Sequence, residues 1–391
     1  MQEAFIVAMN RSAVTKAKKG GFRFTRSDDL AIAIIKGLMN KIPQLTAHDI
    51  DDVIVGCANP EGEQGLQIGR QIALRALGKE TAGMTVNRYC ASGLETIAIA
   101  TAKIRAEMGD CFIAGGIESM SMIPMEGYKL APNFTVANEH PDYVVGMGLT
   151  AEAVAKKYHV GREDQDLFAL RSHQLAAAAQ DSAFFADEIS SVVVHEISLD
   201  NGKRIEKDYE INVDEGIRRD TTLDLLKNLK PAFALNGTVT AGNSSQTSDG
   251  AAFVIVMSER KMKELGLSPI GRIVSCNVSG VEPILMGIGP CAAVPKALVQ
   301  AGLRLSDISV IELNEAFAAQ SLAVIRNLDL NPDIVNIHGG AIALGHPLGC
   351  SGARLTITAL HELKRSKQKY GIVTACVGGG QGIAAVVESI L

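Results

Sequence analysis

The sequence predicts an α/β protein of two duplicated α/β halves packed in layers, with an inserted loop domain. Three observations predict it. Strand-like runs alternate with segments of helical periodicity along most of the chain. The available core is aliphatic: 47% of the 391 residues are hydrophobic, yet only 4% are aromatic and Trp is absent, which suits strands buried beneath helices. The order of elements also repeats. Aligning Ser92-Gly93 with Ser351-Gly352 sets Asp49 against Asp307 and Cys111 against Gly371 without a large gap, as internal duplication would.

In chain order, the N-terminal residues through Ala8 read as a first strand, a helix follows over 29–40, and Asp49-Ile-Asp-Asp-Val-Ile-Val-Gly56 leads into a second strand. Next come a turn at Cys90, a helix, and the strand Cys111-Phe-Ile-Ala-Gly-Gly116. The C-terminal part repeats the order with a helix over 293–302, a strand over 307–314, a turn at His346, a helix from about Ser351 and a strand over 371–377. The middle breaks the rhythm: Met120, Met122, Met125 and three prolines precede a helix over 150–158, with Thr150 as its N-cap, and another over 164–181. The expected units are an N-terminal half at 1–118 completed by about 243–268, an inserted loop domain at 119–242 and a C-terminal half at 269–391.

A net charge of −5 argues against nucleic acid or an anionic membrane as partner. No stretch approaches the ~18 consecutive apolar residues of a membrane span, and the N-terminus lacks the pattern of a secretory signal. Seven cysteines without framework spacing fit free thiols in a reducing compartment, so a cytoplasmic location is expected. No Cys-x-x-Cys pairing suggests a zinc site. Gly378-Gly-Gly-Gln-Gly382 has the look of a dinucleotide loop, but no room for a βαβ unit follows it.

The chemistry concentrates in three small-residue turns. Cys90 lies just before Ser92-Gly-Leu-Glu95, whose spacing is that of a capping box. A thiol at such a helix N-terminus is expected to have a lowered pKa and to serve as the nucleophile. His346 is held between Gly345 and Pro347, where a neutral imidazole could take the Cys90 proton or donate to an oxygen gathering charge. Cys376 ends a strand shortly before three glycines; a second thiol near the substrate is suited to moving a proton of similar pKa.

Together these residues resemble the thiolases, which make or break a carbon–carbon bond next to a coenzyme A thioester. The resemblance runs nearly end to end. It rests on Asn87-Arg-Tyr-Cys90-Ala-Ser-Gly, Gly115-Gly-Ile-Glu-Ser-Met120, Asn314-Glu-Ala-Phe317, Gly339-Gly-Ala-Ile-Ala-Leu-Gly-His-Pro-Leu-Gly349 and Cys376-Val-Gly-Gly-Gly-Gln-Gly382. It implies a thiolase-like fold, and specific roles. Cys90 would be acylated and Cys376 would be the general acid/base. His346 would activate Cys90 and, with a water held by Asn314, form one oxyanion hole; the backbone N–H groups of Cys90 and Gly378 would form the other. Thr240-Ala-Gly-Asn-Ser-Ser245 is similar to the loop that contacts the pantetheine arm, with Ser245 the closest match. Phe233, Ala241, Phe317 and Met147 match pantetheine or pocket positions, and Arg218 is a candidate for the nucleotide end.

Coenzyme A would be a substrate, with no permanently bound cofactor and no metal. The implied reaction is thiolysis of 3-ketoacyl-CoA to acetyl-CoA and a shortened acyl-CoA, as in fatty acid β-oxidation. A homodimer or homotetramer is expected, together with association with a β-oxidation hydratase/dehydrogenase subunit. Two features depart from other members. Asn10-Arg-Ser-Ala-Val lacks the Arg-Thr-Pro many carry, and Gly146 precedes Met147-Gly148 where acetoacetyl-specialised members commonly have histidine. Acetoacetyl-CoA thiolase in the condensing direction is therefore the second reading. A ketoacyl synthase is disfavoured because Cys376 takes the place of a second histidine. From another class, a silent acyl-CoA-binding scaffold would have no need of Cys90, Asn314, His346 and Cys376 together.

Overall fold

The structure, a computed structural model, describes residues 2–390. Its strands are β1 (Ala4–Arg11), β2 (Thr15–Lys16), β3 (Asp52–Gly56), β4 (Ala82–Val86), β5 (Cys111–Ser119), β6 (Val192–Asp200), β7 (Lys203–Ile211), β8 (Ser248–Ser258), β9 (Gly271–Gly280), β10 (Val310–Leu313), β11 (Tyr370–Val377) and β12 (Gln381–Ser389). Ten of them form one sheet in the order β10-β11-β12-β9-β1-β8-β5-β3-β4, with β2 added to β8, while β6 and β7 pair separately. Every residue of β5 and β8 is buried, which explains why these strands read as nearly continuous apolar runs.

The strand order carries the duplication. β3-β5-β8-β1 has the same sequence of neighbours and directions as β10-β11-β12-β9: the first pair is parallel in each, and the rest are antiparallel. β4 adds in parallel to β3, and Val335 makes a lone parallel bridge to Ile311 at the corresponding place. The two sets join where Ile6 of β1 meets Gly271 of β9. Asp49 and Asp307, matched in the self-alignment, close equivalent turns. Each carboxylate accepts from the backbone N–H three residues earlier, Thr46 at 2.9 Å and Arg304 at 2.8 Å.

Alternation along the strands sorts side chains into layers. Val53, Val55, Ile113 and Ile255 pack under the helices Ser27–Asn40 and Ile68–Leu77. Ile54, Phe112 and Val254 face the other way, onto the helices Ser92–Arg105 and Leu348–Ser366, which also receive Val373 and Ala385 from the second set. Ile372 and Val386 turn outward beneath Gly289–Ala301 and Ala318–Asn327. Two helices thus lie sandwiched between the two halves of the sheet. They touch at their first turns: a Cβ on Gly93 would sit 2.7 Å from the Gly349 carbonyl oxygen, and one on Gly352 would sit 2.3 Å from Leu94 N. The duplicated Ser-Gly pairs therefore meet face to face, and this contact brings the Cys90 and His346 turns together.

Three sequence expectations need correction. Thr150 does not cap its helix, which runs Met147–Lys157 from Gly146; the Thr150 hydroxyl instead donates to the Met147 carbonyl at 2.7 Å, inside the first turn. The helix expected from Ser351 begins at Leu348. Finally, a 3-10 segment over Pro283–Ile288, interrupted at Leu285, runs into the helix Gly289–Ala301, and these 19 residues, with a mean hydropathy of 1.4, satisfy the length and composition of a membrane span. Ala293, Val294 and Ala297 of the helix pack in the outer core of the second half.

Candidate active site

Cys90 sits in a one-turn 3-10 helix, Tyr89–Ala91, between β4 and the helix Ser92–Arg105. The turn is held by its neighbours. Asn87 Nδ2 donates to the Ala58 carbonyl at 2.9 Å, and Asn87 Oδ1 accepts from Tyr89 N–H at 2.8 Å. Ser92 Oγ accepts from Arg88 N–H at 2.9 Å and donates to the Tyr89 carbonyl at 2.7 Å. These bonds keep Tyr89 in the left-handed region at φ 44°, a conformation costing a non-glycine residue about 1–3 kcal/mol. The expected capping box does not form. Ser92 Oγ is spent on the turn, Glu95 pairs with Arg88 at 2.9 Å, and the cap position falls to Ala91 without a side-chain bond.

His346 follows Gly345, whose φ of 102° few side chains could adopt. Its backbone N–H reaches the Gln246 carbonyl at 3.0 Å and Ser248 Oγ at 3.2 Å. The Ser351 hydroxyl donates to the Pro347 carbonyl at 2.8 Å, which leaves its oxygen to accept from His346 Nδ1–H at 2.6 Å. That assigns the proton to Nδ1 and leaves a lone pair on Nε2. Asn314 Nδ2 lies 3.3 Å from Nε2, on the donor side of that arrangement, while Asn314 Oδ1 is buried with no protein partner.

Burial decides the electrostatics. It pushes the Cys90 thiol up to about 12, against backbone hydrogen bonds from Gly378 and from Cys90 itself that favour the thiolate. The lowered pKa expected from the helix terminus is thus overturned: the covering second half removes more hydration than the terminus restores. Burial, with help from the Arg354 charge, pulls His346 down to about 3. The resting pair is a thiol beside a neutral imidazole. Cys376, fully buried, is raised first by burial and then by the nearby Cys90 charge, so the two sulfurs share one environment.

Cys90, His346 and Gly378 line a cavity of about 270 Å³ with Tyr143, Met286 and Phe317. A second cavity, of about 470 Å³, shares His346 and Phe317 and extends past Phe233. Met147 and Ser245 border both; Ala241 and Arg218 border neither, and both are exposed. The Ser245 loop is pinned by Asn243, whose Nδ2 donates to Asp166 at 3.0 Å, and Ser245 N–H reaches the Ala316 carbonyl at 2.9 Å.

Sequence reasoning assigned Glu118 no role. The structure buries its carboxylate among four nitrogen donors, Gln64 Nε2 at 2.7 Å and the N–H groups of Ala58 at 2.8 Å, Gly349 at 2.9 Å and Asn59 at 3.3 Å, with the Cys57 thiol at 3.9 Å. It braces the loop after β3 against the His346 turn. A lone carboxylate ending an apolar strand run was the available signal. Among the described residues no three His, Cys, Asp or Glu side chains converge to hold a metal ion.

Comparison with known proteins supplies the family context. The family described as "Thiolase, N-terminal domain" matches residues 4–260, and "Thiolase, C-terminal domain" matches residues 267–389. A 3-ketoacyl-CoA thiolase of Bacillus subtilis (strain 168) is 52% identical, covering 99% of this chain and 100% of its own. A 3-oxoadipyl-CoA/3-oxo-5,6-dehydrosuberyl-CoA thiolase of Escherichia coli (strain K12) is 45% identical, with 100% of both chains covered. Among solved structures, a Bacillus anthracis acetyl-CoA acetyltransferase superposes with a TM-score of 0.89 at 37% identity, covering 100% of this chain and 99% of that one.

Proposed function

Because this chain belongs to the thiolase family, and so is an acyltransferase, we propose that it cleaves 3-ketoacyl-CoA thiolytically through an acyl-enzyme on Cys90. The observation that carries the reading is the convergence of Cys90, His346 and the Gly378 N–H on one cavity. His346 Nε2 takes the Cys90 proton as the sulfur attacks the 3-keto carbon. The N–H groups of Cys90 and Gly378, directed at that sulfur, stabilise the alkoxide formed on the carbon it attacks. The C2–C3 bond breaks, its electron pair forms the enolate of acetyl-CoA, and Cys376 protonates C2. The imidazolium N–H of His346, with a water oriented by Asn314, holds the thioester oxygen on which the enolate charge develops. Cys376, now a thiolate, deprotonates free coenzyme A, whose sulfur takes the acyl group and releases the Cys90 thiolate, which recovers its proton from the His346 imidazolium. Coenzyme A is a substrate, and the reaction as written uses no resident cofactor.

The segment 119–242 serves as the loop domain over the acyl and pantetheine arms, with Met147, Phe233, Ser245 and Phe317 as their walls. Arg218 takes the nucleotide end outside the groove, and Ala241 adjoins the pantetheine loop. An open sheet edge at β4 beside the exposed Leu66 supports a homodimer or homotetramer. Seven unbridged thiols support the cytoplasm as its compartment, where a β-oxidation hydratase/dehydrogenase subunit would supply the substrate. Steady-state assay of purified protein tests the reading. Sustained formation of acetyl-CoA from 3-ketoacyl-CoA should require added free coenzyme A; without it, no more than about one equivalent per Cys90 should appear. Tight acyl-CoA binding without turnover would favour the silent scaffold instead.

A further inference from the structure

The reacting thioester lies at Cys90 and His346, so a bound substrate extends in two directions from that point. The cavity that runs past Phe233 and Ser245 suits the pantetheine arm. The other, of about 270 Å³, is left for the acyl tail, and its wall includes Tyr89, Tyr143, Val144 and Gly379. These two tyrosines come from distant parts of the chain. Tyr89 belongs to the nucleophile turn; Tyr143 belongs to the short 3-10 turn Pro141–Val144 in the inserted segment. The Tyr143 ring closes down on Gly379: a Cβ there would sit 2.8 Å from Tyr143 Cε2. Tyr89 Cδ2 lies 3.7 Å from the corresponding position on Gly378. Both tyrosines line the cavity, and burial and the neighbouring Tyr143 both raise the Tyr89 phenol. Tyr143 is nevertheless 44% exposed, so its ring can swing outward without opening a hole in the core.

The charge of this branch is equally informative. No Lys or Arg lines it, and its one acidic side chain is Glu126. Arg88, the cation of the nucleophile turn, is committed to Glu95 and to Gln381 Oε1 at 3.1 Å. A carboxylate at the far end of an acyl tail would leave water there with no cation to pair with and with Glu126 nearby.

We propose that Tyr143, closing against Tyr89 over Gly379, is the chain-length gate of the acyl branch, and that this branch takes neutral acyl tails and rejects ω-carboxylated ones. The proposal rests on the thiolysis reading. Tails that fit behind the closed ring are bound by apolar contact, and longer ones must displace it.

The test is kcat/KM for full-length wild type, Tyr143→Ala and Tyr143→Phe on even-numbered 3-ketoacyl-CoA substrates from four to sixteen carbons. 3-Ketohexanoyl-CoA is also compared with 3-oxoadipyl-CoA, which has the same number of acyl carbons. Tyr143→Ala should raise the ratio of long-chain to short-chain kcat/KM about tenfold or more. Tyr143→Phe, which keeps the ring, should hold the wild-type profile, and 3-oxoadipyl-CoA should trail 3-ketohexanoyl-CoA by about tenfold or more. An unchanged profile in Tyr143→Ala, or an equal fall at every length, overturns the gate. Equal use of the two six-carbon substrates overturns the charge selection. A wild-type protein inert toward every length overturns the thiolysis reading itself, and the gate with it.

Discussion

The two sandwiched helices begin in related turns, and each turn carries a buried cysteine: Cys90 ahead of Ser92-Gly93, and Cys350 ahead of Ser351-Gly352. Burial pushes both thiols up to about 12. Cys350 even has the charges of Arg354 and Arg11 working toward its thiolate. The difference lies in what each sulfur meets. Cys90 borders the cavity, with the Gly378 N–H directed at it and His346 on the same wall. Cys350 is 1% exposed, is packed among the apolar side chains of the central layer and borders neither cavity of the site. Resting ionisation therefore does not select the nucleophile. Access and a positioned base do.

The sharpest break in that comparison is a pair of substitutions. Cys90→Ser should lower kcat/KM by about 10⁴-fold or more, because a hydroxyl, with a pKa far above that of a thiol, is a much poorer nucleophile and leaving group in this site. Cys350→Ser should stay within a few-fold of wild type in the same assay. Next in size is Cys376→Ser, which should lose about 10²–10⁴-fold in turnover yet still acylate Cys90 slowly in single-turnover experiments; unchanged thiolysis would remove Cys376 from proton transfer. Ser351→Ala deletes the acceptor that holds the Nδ1 proton on His346. About 1–1.5 kcal/mol of hydrogen bonding is at stake, so kcat should fall about tenfold while the far-UV spectrum is retained.

The smallest expected effect is a flat pH profile. With His346 drawn down to about 3 and Cys90 raised to about 12, the pair remains imidazole and thiol across neutral pH. Acylation should be level from about pH 5 to 9 and decline only as acid protonates the imidazole that must accept the proton. An inflection near the ordinary histidine value of about 6.5 would mean that His346 is hydrated in the free enzyme.

Much of this was legible in the chain. The Ser-Gly pairs and the Asp49 and Asp307 turns betrayed the duplication because glycine contacts and turn-closing carboxylates are local requirements that both copies retain. The Cys90, His346 and Cys376 turns stood out because each needs small residues close to a ligand. What could not be read depended on the covering half. Cys90 reads as a helix-terminal thiol, and its burial with Ala58, Met120 and Leu348 reverses the direction of its pKa. The Ser92–Glu95 spacing matched a capping box, but Arg88 outcompetes the backbone for Glu95. Glu118 draws two of its four donors, Ala58 and Gly349, from residues 60 and 231 positions away. Tyr143 gains its meaning only where it touches Gly379, which no local pattern encodes.

The most direct test of the central claim is to trap the acyl-enzyme. Protein mixed with 3-ketoacyl-CoA in the absence of free coenzyme A, quenched in acid and mapped by peptide mass spectrometry, should carry one acyl group on the peptide containing Cys90, removable by added coenzyme A. An acyl group found on Cys376 or Cys350, or turnover with no covalent adduct at Cys90, would contradict the account.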